Sequence, residues 1–296
     1  MSPASNKPVA EVDVDEPLVR ALLHDQMPDL ATRPLRVLAS GWDNVIYRLG
    51  DDLVLRFPRR ALAADLVEHE LRWLPELAPR LPLPIPSPVR AGRPGHGYPW
   101  SWSVCPWLPG IVAEEAVIAD PTETATVLGH FVAAMHGPAP KDAPANPFRG
   151  IPLQGRAATV DERLETLDDL IDAPSVRACW DDLLQTPEWS GPPLWLHGDL
   201  HPLNVLFDHG GPSAVIDFGD LTAGDPATDL SVAWMMFTAD TRSVFREAAG
   251  AVDDDTWLRA RGWALALALA YLANSADVPL LARVGQRTIA AVLTNS

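Results

Sequence analysis

Residues 196–229 read LHGDLHPLNVLFDHGGPSAVIDFGDLTAGDPATD and contain the densest run of polar residues in the chain. Two short apolar runs inside it, 205–207 and 214–216, are typical of β-strands, and the His-Gly-Gly between them predicts a tight turn. A hairpin built from these two strands would place Asn204 and Asp217 beside each other at one end. The segment therefore predicts a pair of oxygen-bearing side chains at the end of a small hairpin.

That pair has the chemistry of a metal site. Asn204 and Asp217 offer two oxygen ligands, one of them charged, which suits a hard divalent cation such as Mg²⁺ that takes its other ligands from phosphate and water. Asp199 lies just before Asn204 in the same loop and has no metal to hold, so it could orient an attacking hydroxyl or accept its proton. These are the parts that phosphoryl transfer requires.

The same loop has a second interpretation. His197, Asp199 and His201 alternate along an extended segment and would share a face, which is a candidate ligand set for a metallohydrolase. That interpretation leaves Asn204, Phe218-Gly219 and the run 224–229 without a purpose, so phosphoryl transfer is the preferred hypothesis.

Three spaced motifs resemble the catalytic core of the aminoglycoside phosphotransferase family, which is related to choline kinases and more distantly to protein kinases. They are His197-Gly198-Asp199 with Asn204 (H-G-D-x-x-x-x-N), Asp217-Phe218-Gly219 (a D-F-G-like metal motif), and Gly224-Asp225-Pro226 with Asp229-Leu230 (G-D-P…D-L). Their order and separation both agree with the family. The resemblance implies an α+β, two-lobed, protein-kinase-like fold, with a small N-terminal antiparallel-sheet lobe and a larger, mainly helical C-terminal lobe.

The resemblance also implies roles for the residues around the metal pair. Asp199 is the expected catalytic residue, and His197 is expected to order the loop through hydrogen bonds. Asp225 would either line the acceptor pocket or cap the helix that follows it. Asp229 would be a buried brace for the amides of the catalytic loop.

The likeness covers residues 35–275 and is less specific in the first lobe. Residues 38–56 are similar to the hairpin that covers the nucleotide phosphates, with Ser40 and Gly41 at its turn. The segment 105–110 falls at the inter-lobe hinge, whose backbone binds the nucleobase in this family. The nucleotide contacts expected there are Pro106, Trp107 and Leu108.

One position departs from the family pattern. A lysine on the third strand usually reaches the phosphates and pairs with a helix glutamate, but Arg56 stands at that place here. Its expected partner is Glu70, with Glu68 as the rival. Arginine can form a bidentate carboxylate pair and still contact phosphate, although its reach differs from that of lysine.

The expected organisation is a nucleotide-covering lobe at 1–104, a hinge at 105–110, and a helical lobe with the catalytic loop and acceptor site at 111–296. In the first lobe, strands are expected at 36–39, 44–49, 53–57 and 98–104, and a helix at 61–77 with Leu62, Leu66, His69, Trp73 and Leu77 along one side. In the second lobe, helices are expected at 121–135, 159–171, 241–249, 254–273 and 278–293.

Composition narrows the class of protein. The chain has 296 residues, 47% of them hydrophobic, and a formal net charge of −16, so it is expected neither to bind nucleic acid nor to associate with anionic membranes. Cys105 and Cys179 are too few for a disulfide framework. Residues 1–17 do not resemble a secretory signal, and the most apolar stretch, 262–273, is too short to span a membrane. A cytoplasmic location is predicted.

We therefore expect a small-molecule kinase that moves the γ-phosphate of ATP or GTP onto a hydroxyl. The resemblance favours an antibiotic-like acceptor, above all an aminoglycoside, whose positive charges suit an acidic protein. Six acidic residues at 161–172 are either a solvated surface or carboxylates that recognise amino groups. The alternatives are a kinase for a macrolide or a metabolite hydroxyl, and a non-catalytic nucleotide-binding relative.

Overall fold

The computed structural model describes residues 8–274 and 278–294. The described chain forms two compact units, one made of residues 8–80 and 84–109 and the other of residues 81–83, 110–274 and 278–294. We call them the N-terminal and the C-terminal unit. The chain passes from the first to the second after Pro109.

The N-terminal unit contains a five-stranded antiparallel sheet and two helices. Its elements are α1 (Glu16–Gln26), β1 (Leu35–Ser40), β2 (Asn44–Leu49), β3 (Leu53–Pro58), α2 (Ala61–Leu77), β4 (Arg90–Gly92) and β5 (Trp102–Pro106). The strand order is β1-β2-β3-β5-β4. The tight turn Gly50-Asp51-Asp52 joins β2 to β3, and Gly50 adopts a positive φ of 61° there.

Aromatic residues fill the core of this sheet. Phe57 stacks on Trp102 with ring centroids 4.8 Å apart and meets Tyr98 edge-on at 5.5 Å. The buried hydroxyl of Tyr98 donates to the Pro58 carbonyl at 2.8 Å, so the ring is buried with its polar end satisfied. Tyr98 itself precedes β5, because the strand expected at 98–104 instead occupies Trp102–Pro106.

Helix α2 has the predicted bounds but turns a different side inward. Leu62 is 74% exposed, whereas Ala63, Val67, Glu70 and Leu74 are buried. The buried face predicted for this helix was therefore only partly right, because Glu70 lies on the inner face. A carboxylate on an apolar stripe hides the true helical period from a hydrophobicity pattern.

The C-terminal unit is mainly helical. Its helices are α3 (Pro121–Met135), α4 (Ala157–Thr166), α5 (Ala173–Leu183), α6 (Ala227–Leu230), α7 (Val232–Met236), α8 (Ala239–Ala248), α9 (Asp254–Ala273) and α10 (Pro279–Thr294). Helix α9 is the central one, since most of its side chains are buried and α4, α5, α6 and α10 all pack on it. No helix within the described ranges combines the length and apolar character that crossing a bilayer needs.

Two small sheets carry the segment 196–229 in this unit. Strands β6 (Ile111–Val112), β8 (Val205–Asp208) and β9 (Gly211–Val215) form one sheet in the order β6-β8-β9, and β7 (Leu194–Leu196) pairs with β10 (Thr222–Gly224) in the other. The predicted hairpin is thus present as β8 and β9.

The helix predicted at 159–171 was wrong in its extent. Helix α4 ends at Thr166, and a new helix, α5, begins after Asp172, whose side chain accepts from the Ser175 amide at 3.2 Å. An Asp cap followed by Pro174 in the first turn is a helix start signal. The six acids at 161–172 are exposed, and Asp161 pairs with Arg177.

Candidate active site

The candidate catalytic loop, residues 197–204, connects β7 to β8. Strand β7 is held by β10, with Leu196 opposite Thr222, so the loop starts from a fixed point. Gly198 follows with a positive φ of 87°, and a Cβ at this position would lie 2.2 Å from the Asp220 carbonyl oxygen. Only glycine fits such a backbone and such a close approach.

Asp229 holds the beginning of this loop. Its carboxylate is 1% exposed and accepts the amides of His197 and Gly198, each at 2.8 Å. His136, at the end of α3, lies 3.4 Å from the same carboxylate. The contacts of Asp229 are those of the buried brace expected from the sequence.

His197 is buried and both of its ring nitrogens are engaged. Nδ1 accepts the Asp199 amide at 3.2 Å, so the ring proton lies on Nε2, which donates to the Ile216 carbonyl at 2.9 Å. Neither nitrogen is available to a metal, and among the described residues no group of three His, Cys, Asp or Glu side chains could hold one. The metallohydrolase interpretation is therefore wrong.

Asp199 lies within a network of charged and polar side chains. Arg149 Nη2 lies 3.2 Å from its Oδ1, the Tyr271 hydroxyl donates to the same oxygen at 3.4 Å, and His201 Nε2 lies 3.4 Å from Oδ2. Burial opposes ionisation of Asp199, but the charges of His201 and Arg149 outweigh it and hold the pKa of the carboxyl below its usual range. Asp199 is therefore ionised and a weak base.

Arg149 bridges two carboxylates, since its Nη2 also lies 3.6 Å from Asp220 Oδ2. Burial raises the pKa of Asp220, and the negative charge of Asp199 adds to that effect, against the opposing charge of Arg149. Burial would lower the pKa of Arg149, but the two carboxylates raise it by more, so the guanidinium stays charged.

The loop that carries Arg149 is fastened to β10 by its backbone. The Pro144 carbonyl accepts the Ala223 amide at 3.2 Å, and the Asp225 amide donates to the Gly150 carbonyl at 2.9 Å. Asn146 Nδ2 donates to Asp220 Oδ1 at 2.6 Å. These bonds on both sides of Arg149 fix its position beside Asp199.

Asn204 and Asp217 lie at the same end of the β8–β9 hairpin. The Ile216 amide donates to the Asn204 carbonyl at 2.9 Å, which continues the ladder up to the residue before Asp217. Asn204 is 5% exposed and its Nδ2 donates to the Asp199 carbonyl at 2.9 Å, so the amide oxygen is its remaining polar atom. Asp217 has a φ of 65°, a strained conformation that is typical of functional positions.

These two residues fit a magnesium ion by donor chemistry. No hydrogen bond or ion pair within the described residues occupies the carboxylate of Asp217, and the Asn204 oxygen is likewise not engaged. An amide oxygen and a carboxylate are the ligands that Mg²⁺ takes when phosphate and water complete its shell.

Asp225 points into the protein interior. It is 3% exposed, its Oδ2 lies 2.7 Å from Nε of the buried Arg259, and its Oδ1 accepts the Ala227 amide at 3.0 Å. Of the two expectations for Asp225, the contacts favour the structural one, in which it caps the helix that follows, over the lining of an acceptor pocket.

Arg56 and Glu70 form a buried ion pair in the N-terminal unit. Arg56 Nη1 lies 2.9 Å from Glu70 Oε2, and the two side chains are 8% and 1% exposed. Glu68, the rival partner, is exposed on the outer side of α2. The arginine thus forms the strand-to-helix pair that the resemblance implies for a lysine.

The turn at Ser40 and Gly41 is closed on itself. The Gly41 amide donates to the Asn44 carbonyl at 2.8 Å, and Arg59 Nη1 donates to the Gly41 carbonyl at 2.8 Å. A Cβ on Gly41 would meet only ordinary contact, 3.5 Å from the Asn44 oxygen. The Gly41 amide is therefore already used within the turn.

In the expected hinge, Pro106 is the last residue of β5 and Trp107 donates its amide to the Asp52 carbonyl at 2.7 Å. The indole of Trp107 lies under the Arg48 guanidinium, 3.9 Å from carbon to ring centroid. Proline has no N–H, so within residues 106–108 a nucleobase would meet the N–H of Leu108.

Sequence reasoning missed two of the side chains that surround Asp199, those of Arg149 and Tyr271. Arg149 and Tyr271 are 50 and 72 residues away from it along the chain. Neither lies in a motif, and no spacing rule connects them to the loop. Asp220 directly follows the D-F-G-like motif, so its position could have drawn attention to it.

Comparison with known proteins agrees with this architecture. No curated protein matches the sequence. Solved structures do match the fold: the GDP complex of an aminoglycoside 2'-phosphotransferase has 20% identity and a TM-score of 0.71, over 96% of this chain and 100% of that one. A macrolide 2'-phosphotransferase from Brachybacterium faecium has 22% identity and a TM-score of 0.60, over 94% and 98% of the two chains. An ADP-bound aminoglycoside phosphotransferase has 17% identity and a TM-score of 0.59, over 94% and 98%.

These structures confirm the expected protein-kinase-like fold, a sheet-containing unit followed by a larger helical one. The model of a protein family described as the phosphotransferase enzyme family matches residues 34–263, well over half of the chain. The chain belongs to this family of phosphotransferases, as its three motifs predicted.

Proposed function

We propose that this chain transfers the γ-phosphoryl group of a nucleoside triphosphate to a hydroxyl of a small molecule. The observation that carries the proposal is the end of the β8–β9 hairpin, where the Asn204 side chain bonds the Asp199 backbone and Asp217 follows the same ladder. A carboxylate for the acceptor and two oxygen ligands for a cation are the parts that this reaction uses.

Asp199 orients the acceptor hydroxyl. Its lowered pKa makes it a poor base toward a free alcohol, but phosphoryl transfer proceeds through a loose transition state in which the hydroxyl proton leaves late. The task of the carboxylate is then to accept a hydrogen bond from the hydroxyl and to take its proton as the new O–P bond forms. Tyr271 and Arg149 hold the carboxylate in place for this task.

Asn204 and Asp217 are the proposed Mg²⁺ ligands. A magnesium ion held by these two residues would neutralise charge on the phosphate oxygens. His197 and Asp229 support the ion and the acceptor indirectly, because their hydrogen bonds fix the loop between Gly198 and Asn204.

The N-terminal unit is proposed to bind the nucleotide. Arg56 contacts phosphate while Glu70 keeps the guanidinium in position, and the Leu108 amide is the donor offered to the base. The turn at Ser40 and Gly41 covers the phosphates without a hydrogen bond from the Gly41 amide, since that amide already donates to the Asn44 carbonyl. Related structures contain GDP in one case and ADP in another, which leaves both ATP and GTP as donors to test.

For the acceptor, global and local charge point in opposite directions. The net charge of −16 favours the aminoglycoside expected from the resemblance, and a macrolide or another hydroxylated metabolite is the alternative. The acids at 161–172, however, face solvent, and the charged groups nearest to Asp199 include Arg149.

A non-catalytic relative is the less favoured candidate. Its main support was the absent lysine, and the ion pair of Arg56 with Glu70 removes that support. The cytoplasmic location and the absence of nucleic-acid and membrane partners stay predictions.

The test is an Asp199→Ala variant assayed with ATP and GTP against a panel of aminoglycosides, macrolides and hydroxylated metabolites. Turnover should fall by more than ~100-fold, while Mg²⁺-dependent nucleotide binding, measured by calorimetry, stays at the wild-type value. A variant with near-native turnover would remove Asp199 from its proposed role. Wild-type protein that binds no nucleotide would refute the kinase proposal itself.

A further inference from the structure

Arg149, Arg156 and Arg163 form a positive cluster in the C-terminal unit, in which the charge of Arg149 acts on Arg156 and the charges of both act on Arg163. Arg149 comes from the loop fastened to β10, Arg156 ends the 3-10 turn Leu153–Arg156 that leads into α4, and Arg163 follows two turns along α4. Arg149 contacts the Asp199 carboxylate directly at 3.2 Å. The cluster therefore starts at the group that is proposed to orient the acceptor.

Arg156 is a buried cation that has no counter-ion among the residues the structure describes. The residue is 6% exposed, and its Nε is buried with no hydrogen-bond partner. Burial lowers the pKa of Arg156, and the charge of Arg149 lowers it further. No carboxylate in the described part of the chain lies within ion-pair distance of Arg156.

Arg163 extends the same positive region. Its Nη1 donates to the Ala266 carbonyl on α9 at 3.4 Å, a weak contact for a guanidinium. Burial lowers the pKa of Arg163 to about 10, with Arg156 and Arg149 adding to the effect and Glu162 opposing it. Each of the three arginines is therefore close enough to affect another. Among the described residues, Arg149 is the one of the three that forms ion pairs with carboxylates, those of Asp199 and Asp220.

An uncompensated buried charge is unfavourable for the free protein. Binding sites commonly retain an uncompensated buried charge that a ligand of opposite charge neutralises, since such sites trade stability for function. A guanidinium presents a planar set of N–H donors that matches the oxygens of a carboxylate or a phosphate.

We infer that Arg156 and Arg163 form an anion-binding subsite for the acceptor, whose carboxylate or phosphate group they bind while its hydroxyl meets Asp199. This inference rests on the proposed kinase function and narrows the acceptor to an anionic alcohol. The net charge of −16 does not oppose it, because surface charges are screened over roughly 8 Å in physiological salt whereas the arginines act at contact.

The first test compares ligands that share one sugar ring and differ in charge. Glucuronate, glucose 6-phosphate, glucose and glucosamine are titrated into the full chain by calorimetry, with Mg²⁺ and a non-hydrolysable triphosphate present to occupy the nucleotide site. At least one of the two anions should bind about tenfold or more tightly than glucose, as one charge-assisted hydrogen bond predicts. Glucosamine should bind more weakly than glucose. The two anions distinguish a carboxylate subsite from a phosphate subsite.

The second test removes the arginines one at a time. Arg163→Gln should weaken anion binding about tenfold. Arg156→Met should also weaken it and, in addition, raise the melting temperature of the ligand-free protein, because an uncompensated buried charge is replaced by an apolar chain of similar length. A purely packing role for Arg156 would give the opposite change in melting temperature. Arg177→Gln, which removes an exposed arginine paired with Asp161, is the control and should change neither quantity.

Three results would overturn the inference: glucosamine binding as tightly as the anions, anion binding that survives both substitutions, or no binding of any anion. Nucleotide binding separates this failure from failure of the kinase proposal. Wild-type protein that binds the triphosphate with Mg²⁺ but no anion would contradict the acceptor class alone.

Discussion

Gly198→Ala is expected to disturb the catalytic loop and the activity together. Gly198 has a φ of 87°, and the added Cβ would lie 2.2 Å from the Asp220 carbonyl oxygen. The left-handed backbone costs an alanine about 1–2 kcal/mol, and relief of an overlap in a packed region costs about 1–3 kcal/mol more. The free energy of unfolding should therefore fall by about 2–5 kcal/mol.

The activity should fall for a geometric reason. Relief of the overlap has to move the backbone next to Asp199 away from Asp220, by on the order of 1 Å, and a misplacement of that size costs roughly 100-fold in rate. Asp229 holds the Gly198 amide at 2.8 Å, so the loop cannot move without stretching that bond as well.

Gly250→Ala is the matched control. Gly250 lies in the same unit and has a φ of 95°, but a Cβ there would meet no atom within 4 Å. It should show the backbone cost alone. Urea unfolding measures stability, and Mg²⁺-dependent nucleotide turnover measures activity. A Gly198→Ala protein no less stable than Gly250→Ala, with undiminished turnover, would refute the reasoning.

Three further predictions concern buried charges and thiols. Asp225→Asn breaks the buried pair with Arg259 and should lower the free energy of unfolding, measured in urea, by about 3–5 kcal/mol. A variant with normal stability but weaker acceptor binding would instead show that Asp225 lines the acceptor site. Arg56→Ala should lower both the melting temperature and the triphosphate affinity measured by calorimetry, and adding Glu70→Gln should restore only the melting temperature. If the affinity also recovers in the double variant, Arg56 does not contact phosphate. Cys105 is buried, which raises the pKa of its thiol to about 11, so ~0.1% is thiolate at pH 8 and labelling by iodoacetamide should require unfolding; rapid labelling of the native protein would contradict its burial.

The sequence predicted best those elements whose signals are local. The bounds of β2, α3 and α9 agree with the prediction, because a glycine turn ends β2 and capping aspartates, Asp120 and Asp253, begin the two helices. The break between α4 and α5 was missed although it also has a local signal. Asp172 was grouped with the acids of the helix predicted at 159–171, whereas its side chain caps a second helix.

The candidate site divides in the same way. Asp199, Asn204 and Asp217 were found because they lie within one hairpin and its entry loop, and their roles stay predictions. Glu70 was preferred over Glu68 only through a resemblance, and packing explains the choice: Glu70 is 1% exposed on the inner face of α2 and meets Arg56 there.

The sequence alone determined the reaction class, because the groups that handle a phosphoryl transfer are neighbours in one short segment and local backbone geometry brings them together. The tertiary structure alone decided the electrostatic surroundings of Asp199. Arg149 and Tyr271 reach its carboxylate from distant parts of the chain, and Coulomb interactions depend on distance through space and on burial. Net charge sums over all residues equally, so a value of −16 could not reveal a positive region beside the carboxylate.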